Sequence, residues 1–304
     1  MVNHTFMNSL LKHFPSLDIK TAEPLKNHTY TKLGGPAELF AAPVTVQELT
    51  ALLHAAKESE IPITIIGKGT NLIVKDGGIR GITISLKNMT AIRTEQQTIY
   101  AQAGAGLIEV THEALQQELT GIEFACGIPG TVGGALYMNA GAYGGQISNV
   151  LSKALVMDKE GTLLTLSKEE LQLGYRKSLI ASDHYIVVEA VFELQPSNHA
   201  SIKEKMHEFT AARERMQPLE YPSCGSVFKR PPGYYAGKLI QDCGLQGTRI
   251  GGAEVSRKHA GFIVNVDQAT AQDYADLITL IQEKVKQGYG VELETEVILL
   301  GEDV

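Results

Sequence analysis

Gly127-Ile128-Pro129-Gly130-Thr131-Val132-Gly133-Gly134-Ala135 places four glycines within eight positions. So many missing side chains let backbone N–H groups come close to a bulky anion such as a pyrophosphate. The first glycine loop of the chain, Gly67-Lys68-Gly69-Thr70-Asn71, follows the β-branched run Ile61-Pro62-Ile63-Thr64-Ile65-Ile66. A strand that ends on a glycine loop is a frequent place for a nucleotide site. Either loop alone reads as a tight turn. Two of them, with Asn71 and Asn139 as nearby polar side chains, point to one dinucleotide gripped from both sides.

Neither loop is one of the common nucleotide motifs. A P-loop needs Thr or Ser directly after its Lys and a glycine five residues before the Gly-Lys pair, but Gly69 follows Lys68 and residues 63–66 hold no glycine. The dinucleotide fingerprint G-x-G-x-x-G fails as well, because Leu72 stands where the third glycine belongs and no helical pattern opens behind it. A dedicated nicotinamide domain is therefore not visible.

Outward from the loops, Thr45-Val46-Gln47-Glu48 reads as a capping box, and Val46, Leu49, Leu52, Leu53 and Ala56 share one helical face. The run 61–66 reads as a buried strand. Further strands are expected at 79–86, 98–103, 154–157, 163–166 and 185–194, with a helix over 107–119. Gln195-Pro196-Ser197-Asn198 breaks this pattern, and Ile202, Met206, Phe209 and Met216 then keep helical spacing. We place the domain boundary there, giving 1–196 and 197–304. Near the end, Tyr274, Leu277, Ile278, Ile281 and Val285 form a helical face stopped by Gly288, followed by a strand over 291–300.

Composition limits the function. The chain has 304 residues, 43% of them hydrophobic, enough for about two packed domains. A net charge of -7 argues against nucleic acid or an anionic membrane as partner. Cys126, Cys224 and Cys243 form no C-x-x-C pair and are expected as reduced thiols. The polar stretch 1–14 lacks an apolar signal core, and no apolar run is long enough to span a bilayer, so a cytoplasmic protein is expected. The nine histidines show no ligand spacing, so no metal site is expected.

The two loops, extended to Gly67-Lys68-Gly69-Thr70-Asn71-Leu72 and to Phe124-Ala125-Cys126 before Gly127, resemble the FAD-binding segments of the UDP-N-acetylenolpyruvoylglucosamine reductases. The resemblance continues through Gly174-Tyr175-Arg176-Lys177-Ser178, Gly225-Ser226-Val227-Phe228-Lys229-Arg230-Pro231, Ala236-Gly237-Lys238-Leu239-Ile240 and Leu293-Glu294-Thr295-Glu296-Val297. It covers nearly the whole chain. It implies an α+β protein: an FAD-binding fold of the vanillyl-alcohol-oxidase/PCMH type in two subdomains, divided near residue 88, then a smaller α+β substrate-binding domain. Arg230, where many relatives carry Asn, and the short stretch between Arg176 and Ser226 resemble the family's shorter, type II form.

By that resemblance the cofactor contacts are Ile66, Gly67, Lys68, Gly69, Thr70, Asn71, Gly127, Gly130, Thr131, Gly133, Gly134, Ala135 and Asn139. FAD is expected to be non-covalent, since neither loop presents a His or Cys in an attachment motif. The implied reaction adds hydride from the flavin to C3 of an enolpyruvyl ether, leaving negative charge that spreads from C2 into the carboxylate. Such a species needs positive charge, donors and a proton. Arg176 is implied for the carboxylate, Ser226 as proton donor to C2, and Glu296, protonated, as third catalytic residue. From local sequence alone Arg176 reads as a surface ion-pair residue, Ser226 as a turn residue and Glu296 as a solvated strand carboxylate. Tyr175, Arg213, Lys229, Arg230 and His259 are the implied substrate contacts.

NADPH is expected as co-substrate, using the same site as the UDP-sugar in alternation, and the protein is expected to act as a monomer. Two other readings stay open from the sequence. One is a flavin oxidase of the same fold acting on another alcohol or sugar. The other is a non-catalytic UDP-sugar or flavin-binding regulator.

Overall fold

The computed structural model describes residues 4–304; residues 1–3 of the polar N-terminal stretch lie outside the described residues. The chain divides into two compact units. The first comprises Met1–Thr21, Leu39–Lys68 and Gly81–Arg213, and the second Ala22–Glu38, Gly69–Arg80 and Glu214–Val304. Among the described residues no helix is long and apolar enough to cross a membrane.

The first unit contains two larger sheets. One has the strand order Asp18–Pro24, Pro36–Ala42, Ile79–Ser85, Ile63–Ile66. Against it lies the helix Val46–Glu58, which begins on the capping box expected from sequence: Thr45 Oγ1 accepts from the Glu48 N–H at 3.1 Å, and the Glu48 carboxylate accepts from the Thr45 N–H at 3.3 Å. Leu49, Leu52, Leu53 and Ala56 are buried and Val46 packs beside them. The run 61–66 departs from expectation. Only Ile66 is buried, because Ile63–Ile66 pairs in parallel with 82–85 and closes the sheet at its edge.

The other sheet is antiparallel, in the order Leu163–Ser167, Leu151–Met157, Ile186–Glu193, Thr98–Gln102, Ile92–Glu95. Its middle strand, Ile186–Glu193, is buried at all but two positions, since both of its neighbours and both of its faces are covered. The helix Leu107–Gln116 stops short of the expected 119: Glu118 turns to φ +55° and Leu119–Thr120 pairs with Gln195–Pro196. The sequence break at 195–198 is thus a short strand before the helix His199–Met216. In that helix Ile202 and Met206 are buried, whereas Met216, which shares their spacing, is exposed.

The second unit carries a four-stranded sheet, Ser223–Ser226, Phe262–Asn265, Ala253–Val255, Arg249–Ile250, with the helix Ala271–Tyr289. The five expected apolar residues of that helix are all buried, and Tyr274 donates to the Ile263 carbonyl at 3.2 Å. The helix runs through Gly288 and ends at Gly290, where φ +68° supplies the left-handed cap.

The expected strand 291–300 is a strand only at Ile298–Leu300. Leu293 and Val297 are buried as the alternation requires, but Leu299 is exposed. The chain changes partner there. Residues 294–296 bond to 227–229, whereas Ile298–Leu300 pairs in parallel with Leu72–Val74, so one pleat does not run through.

Candidate active site

The two glycine loops meet in the first unit at Gly67 and Thr131, where a Cβ on residue 67 would collide with the Thr131 hydroxyl. Thr131 caps the short helix Val132–Tyr137, and its Oγ1 accepts from the Gly134 N–H at 3.4 Å. A Cβ on residue 127 would stand 2.7 Å from Arg213 Cδ, so the bare backbone there makes room for the arginine stem. Lys68 reaches Glu109 at 3.5 Å, a partner that the sequence did not suggest.

This is a cradle defined by absent side chains, and it fits the pyrophosphate-bearing flavin expected from sequence. The donors are distributed differently from expectation. The N–H groups of Val132 and Gly133 bond to the Ala105 and Ala103 carbonyls at 2.9 and 2.8 Å, and that of Ala135 to the Thr131 carbonyl at 2.8 Å. At 132–135 these three N–H groups are therefore engaged within the protein, and Gly133 packs against Ala103.

Arg176 sits at the tip of a tight hairpin. Gly174 and Lys177 exchange backbone bonds of 2.9 and 3.2 Å, and Arg176 adopts φ +53°, which for a residue with a Cβ costs on the order of 1 kcal/mol. Its guanidinium carbon lies 5.0 Å from the centre of the exposed Tyr175 ring. Two side-chain bonds hold this hairpin. Asn139 Nδ2 donates to the Gly174 carbonyl at 3.0 Å, and Ser178 Oγ donates to the Tyr137 carbonyl at 2.7 Å.

Asn139 is 1% exposed, and its Oδ1 accepts from the Ser148 N–H at 2.9 Å. The amide expected to face the cofactor is instead engaged within the protein. It ties the end of the second glycine loop's helix to the Arg176 hairpin.

Ser226 is aimed by a β-bulge in the second unit. Ser223 pairs with Val264 and Ser226 with Phe262, so three steps on one strand face two on the other. Gly225 takes up the extra residue at φ +76°. In a regular strand residues 224 and 226 would share a face. The bulge separates them, leaving Cys224 2% exposed in the core while Ser226 is half-buried. Burial raises the Cys224 thiol to about 12, which makes it an inert packed group.

Glu296 lies against the serine strand. Its N–H donates to the Val227 carbonyl at 2.7 Å, and its own carbonyl accepts from Asn71 Nδ2 at 3.1 Å. The Ile298 N–H returns to the Asn71 carbonyl at 3.1 Å. Asn71, like Asn139, thus bonds protein where a ligand contact was expected. In the same first loop, Gly69 adopts φ +64° against the His28 carbonyl, a place closed to any side chain.

Around this corner Lys229 pairs with Glu294 at 3.1 Å, and Arg230 stacks over Tyr235 at 4.0 Å while its Nε donates to the Tyr234 carbonyl at 3.3 Å. His259 Nδ1 accepts from the Gly261 N–H at 3.1 Å, which places the ring proton on Nε2, and burial lowers its pKa below 6.5. Gly261 in turn accepts from the Val227 N–H at 2.9 Å, so His259 braces the residue after the serine. Ser226 and Glu296 belong to the second unit and Arg176 to the first. Gly225 and Ser178 were missed by sequence reasoning. Neither gave a signal beyond its place in the Ser226 and Arg176 motifs.

Residues 37–167 match the FAD binding domain model, and residues 217–300 match the model of the UDP-N-acetylenolpyruvoylglucosamine reductase C-terminal domain. A UDP-N-acetylenolpyruvoylglucosamine reductase 2 from Bacillus cereus is 58% identical over 289 residues, 95% of each chain. A UDP-N-acetylenolpyruvoylglucosamine reductase from Shouchella clausii is 59% identical over 95% of this chain and 93% of its own. The crystal structure of the corresponding reductase from Thermus caldophilus superposes with a TM-score of 0.80 at 32% identity, covering 94% of this chain and 99% of that one. The chain belongs to the UDP-N-acetylenolpyruvoylglucosamine reductase family.

Proposed function

We propose that this protein reduces UDP-N-acetylglucosamine enolpyruvate to UDP-N-acetylmuramate in peptidoglycan precursor synthesis, with NADPH as reductant and non-covalent FAD as carrier. FAD supplies a hydride acceptor for NADPH and a hydride donor for C3 of the enolpyruvyl group. The residues of this chain supply the rest. The backbone of Gly67–Thr70 and of Gly127–Thr131 holds the cofactor. Arg176 pairs with the substrate carboxylate as negative charge builds there, a task suited to a planar guanidinium.

Ser226 gives its hydroxyl proton to C2, so hydride at C3 and proton at C2 complete the saturated product, and solvent reprotonates the serine. Glu296, kept protonated beside the developing charge, opposes it least in that form. Lys229, Arg230, Arg213, Tyr175 and His259 bind the UDP-sugar. We assign 1–196 to the flavin and 197–304 to the substrate, and infer a cytoplasmic monomer.

The observation that carries this reading is the bulge at Gly225, which turns a serine out of a strand whose preceding cysteine is in the core, beside the anchored Glu296 segment. The purified protein should show a flavin spectrum that NADPH bleaches without oxygen and the UDP-sugar enolpyruvate restores. Bleaching without restoration would leave the oxidase reading. A protein with no flavin band after FAD loading would end both.

A further inference from the structure

Glu296 is gripped on both sides of its peptide unit. From the serine strand, the Val227 carbonyl takes the Glu296 N–H at 2.7 Å and the Val297 N–H at 3.3 Å. From the first glycine loop, Asn71 acts twice: its side-chain amide donates to the Glu296 carbonyl at 3.1 Å, and its backbone carbonyl accepts the Ile298 N–H at 3.1 Å. These bonds all lie within one compact unit. They fall where the chain changes partner from residues 227–229 to Leu72–Val74, so no continuous ladder fixes the backbone at 296.

We infer that Asn71 is a positioning residue: its amide bond to the Glu296 carbonyl sets where the Glu296 side chain stands beside Ser226, and so links the first glycine loop to the acid corner. This rests on the reading of Glu296 as a participant in the reaction. The amide suits the task for two reasons. It comes from a residue that also holds Ile298, and it lies two residues after Gly69, whose φ +64° fixes the loop's path. An Asp at 71 keeps the size and backbone preference of Asn but turns an acceptor toward the Glu296 carbonyl. An Ala removes the bond.

The test uses the FAD-loaded protein. In Asn71→Ala and Asn71→Asp, FAD affinity and the rate of flavin bleaching by NADPH should stay within about threefold of the parent. The rate at which UDP-sugar enolpyruvate restores the flavin band should fall about 10- to 100-fold, more for Asp than for Ala. Asn71→Ala placed in Glu296→Gln should add less than about twofold, because the two changes remove one function.

A readout that needs no turnover is the ¹³C titration of the Glu296 carboxyl, assigned with Glu296→Gln as reference, which should shift between parent and Asn71→Ala. A loss of FAD affinity above tenfold with an unshifted Glu296 titration would overturn the inference and leave Asn71 as a flavin contact. If the parent itself does not restore the flavin band, the functional reading fails, and the titration still decides the positioning role. If Asn71→Ala does not fold, Asn71→Asp carries both measurements.

Discussion

The Arg176 hairpin and the Ser226–Glu296 corner solve the same problem with opposite backbones. The hairpin, in the first unit, holds a left-handed arginine at the tip of a two-residue turn, pinned by Asn139 and Ser178. The corner, in the second unit, places its residues on strand segments, using a bulge at Gly225 for Ser226 and a change of partner for Glu296. In each, an asparagine at or beyond the end of a glycine loop supplies an amide to a backbone carbonyl: Asn139 to Gly174, and Asn71 to Glu296. The difference lies in burial. Asn139 is 1% exposed within a set of protein bonds, while Asn71 is half-buried. Damage at Asn139 should therefore cost stability, and damage at Asn71 should chiefly cost chemistry.

The largest effect should come from Arg176→Ala. Loss of a charged group that meets developing carboxylate charge should slow return of the flavin band on the order of 10³-fold, with NADPH bleaching retained. Equal slowing of both half-reactions would make Arg176 a folding residue and dissolve the contrast.

Gly225→Val comes next. A β-branched residue cannot hold φ +76° without strain, so the bulge should shift and Ser226 turn toward the face of Cys224. Return of the flavin band should fall about 100-fold, and Cys224 should gain reactivity toward thiol reagents as the core opens. An unchanged rate would show that the bulge does not aim the serine.

Asn139→Ala should lower stability by about 2 kcal/mol, because the Ser148 N–H and the Gly174 carbonyl lose a buried partner. Asn71→Ala should lower it by less. Denaturant melts of the two variants compare them directly, and the reverse order would contradict the distinction drawn from burial.

The smallest effect concerns pH. The folded-state pKa of His259 is lowered by burial, so the folded protein binds this proton less readily than the unfolded chain. The stability it contributes is present above about pH 6.5 and is lost as pH falls through that value toward the folded pKa. The protection factor at the Val227 amide, its exchange rate taken relative to the intrinsic rate at each pH, should fall between pH 7.5 and 5.5, while protection at the Gly174–Lys177 hairpin shows no such fall. A His259→Gln variant that keeps the whole pH dependence at Val227 would rule out this assignment.

Much of the corner's content was legible in the sequence, and little of its geometry. The capping box at Thr45, the apolar face from Tyr274 to Val285 and the two glycine loops follow from local patterns, and the structure contains each. The strand at 291–300 was misjudged because alternation says nothing of a change of partner at Val297. Gly288 was misjudged as the helix stop because only φ separates it from Gly290. Asn71 and Asn139 show what local sequence leaves out: a polar side chain near a glycine loop looks the same in sequence whether or not it also bonds a carbonyl 225 or 35 positions away. The resemblance that identifies Ser226 likewise carries no information on the bulge that aims it.

The central claim, that Ser226 delivers the proton to C2, is tested most directly by Ser226→Ala in anaerobic single-turnover mixing. The account predicts a full flavin spectrum, bleaching by NADPH at the parent rate, and return of the flavin band by UDP-sugar enolpyruvate slowed on the order of 10²-fold. Return at the parent rate, with bleaching and flavin content also unchanged, would contradict it and move the proton to bound water or Lys229.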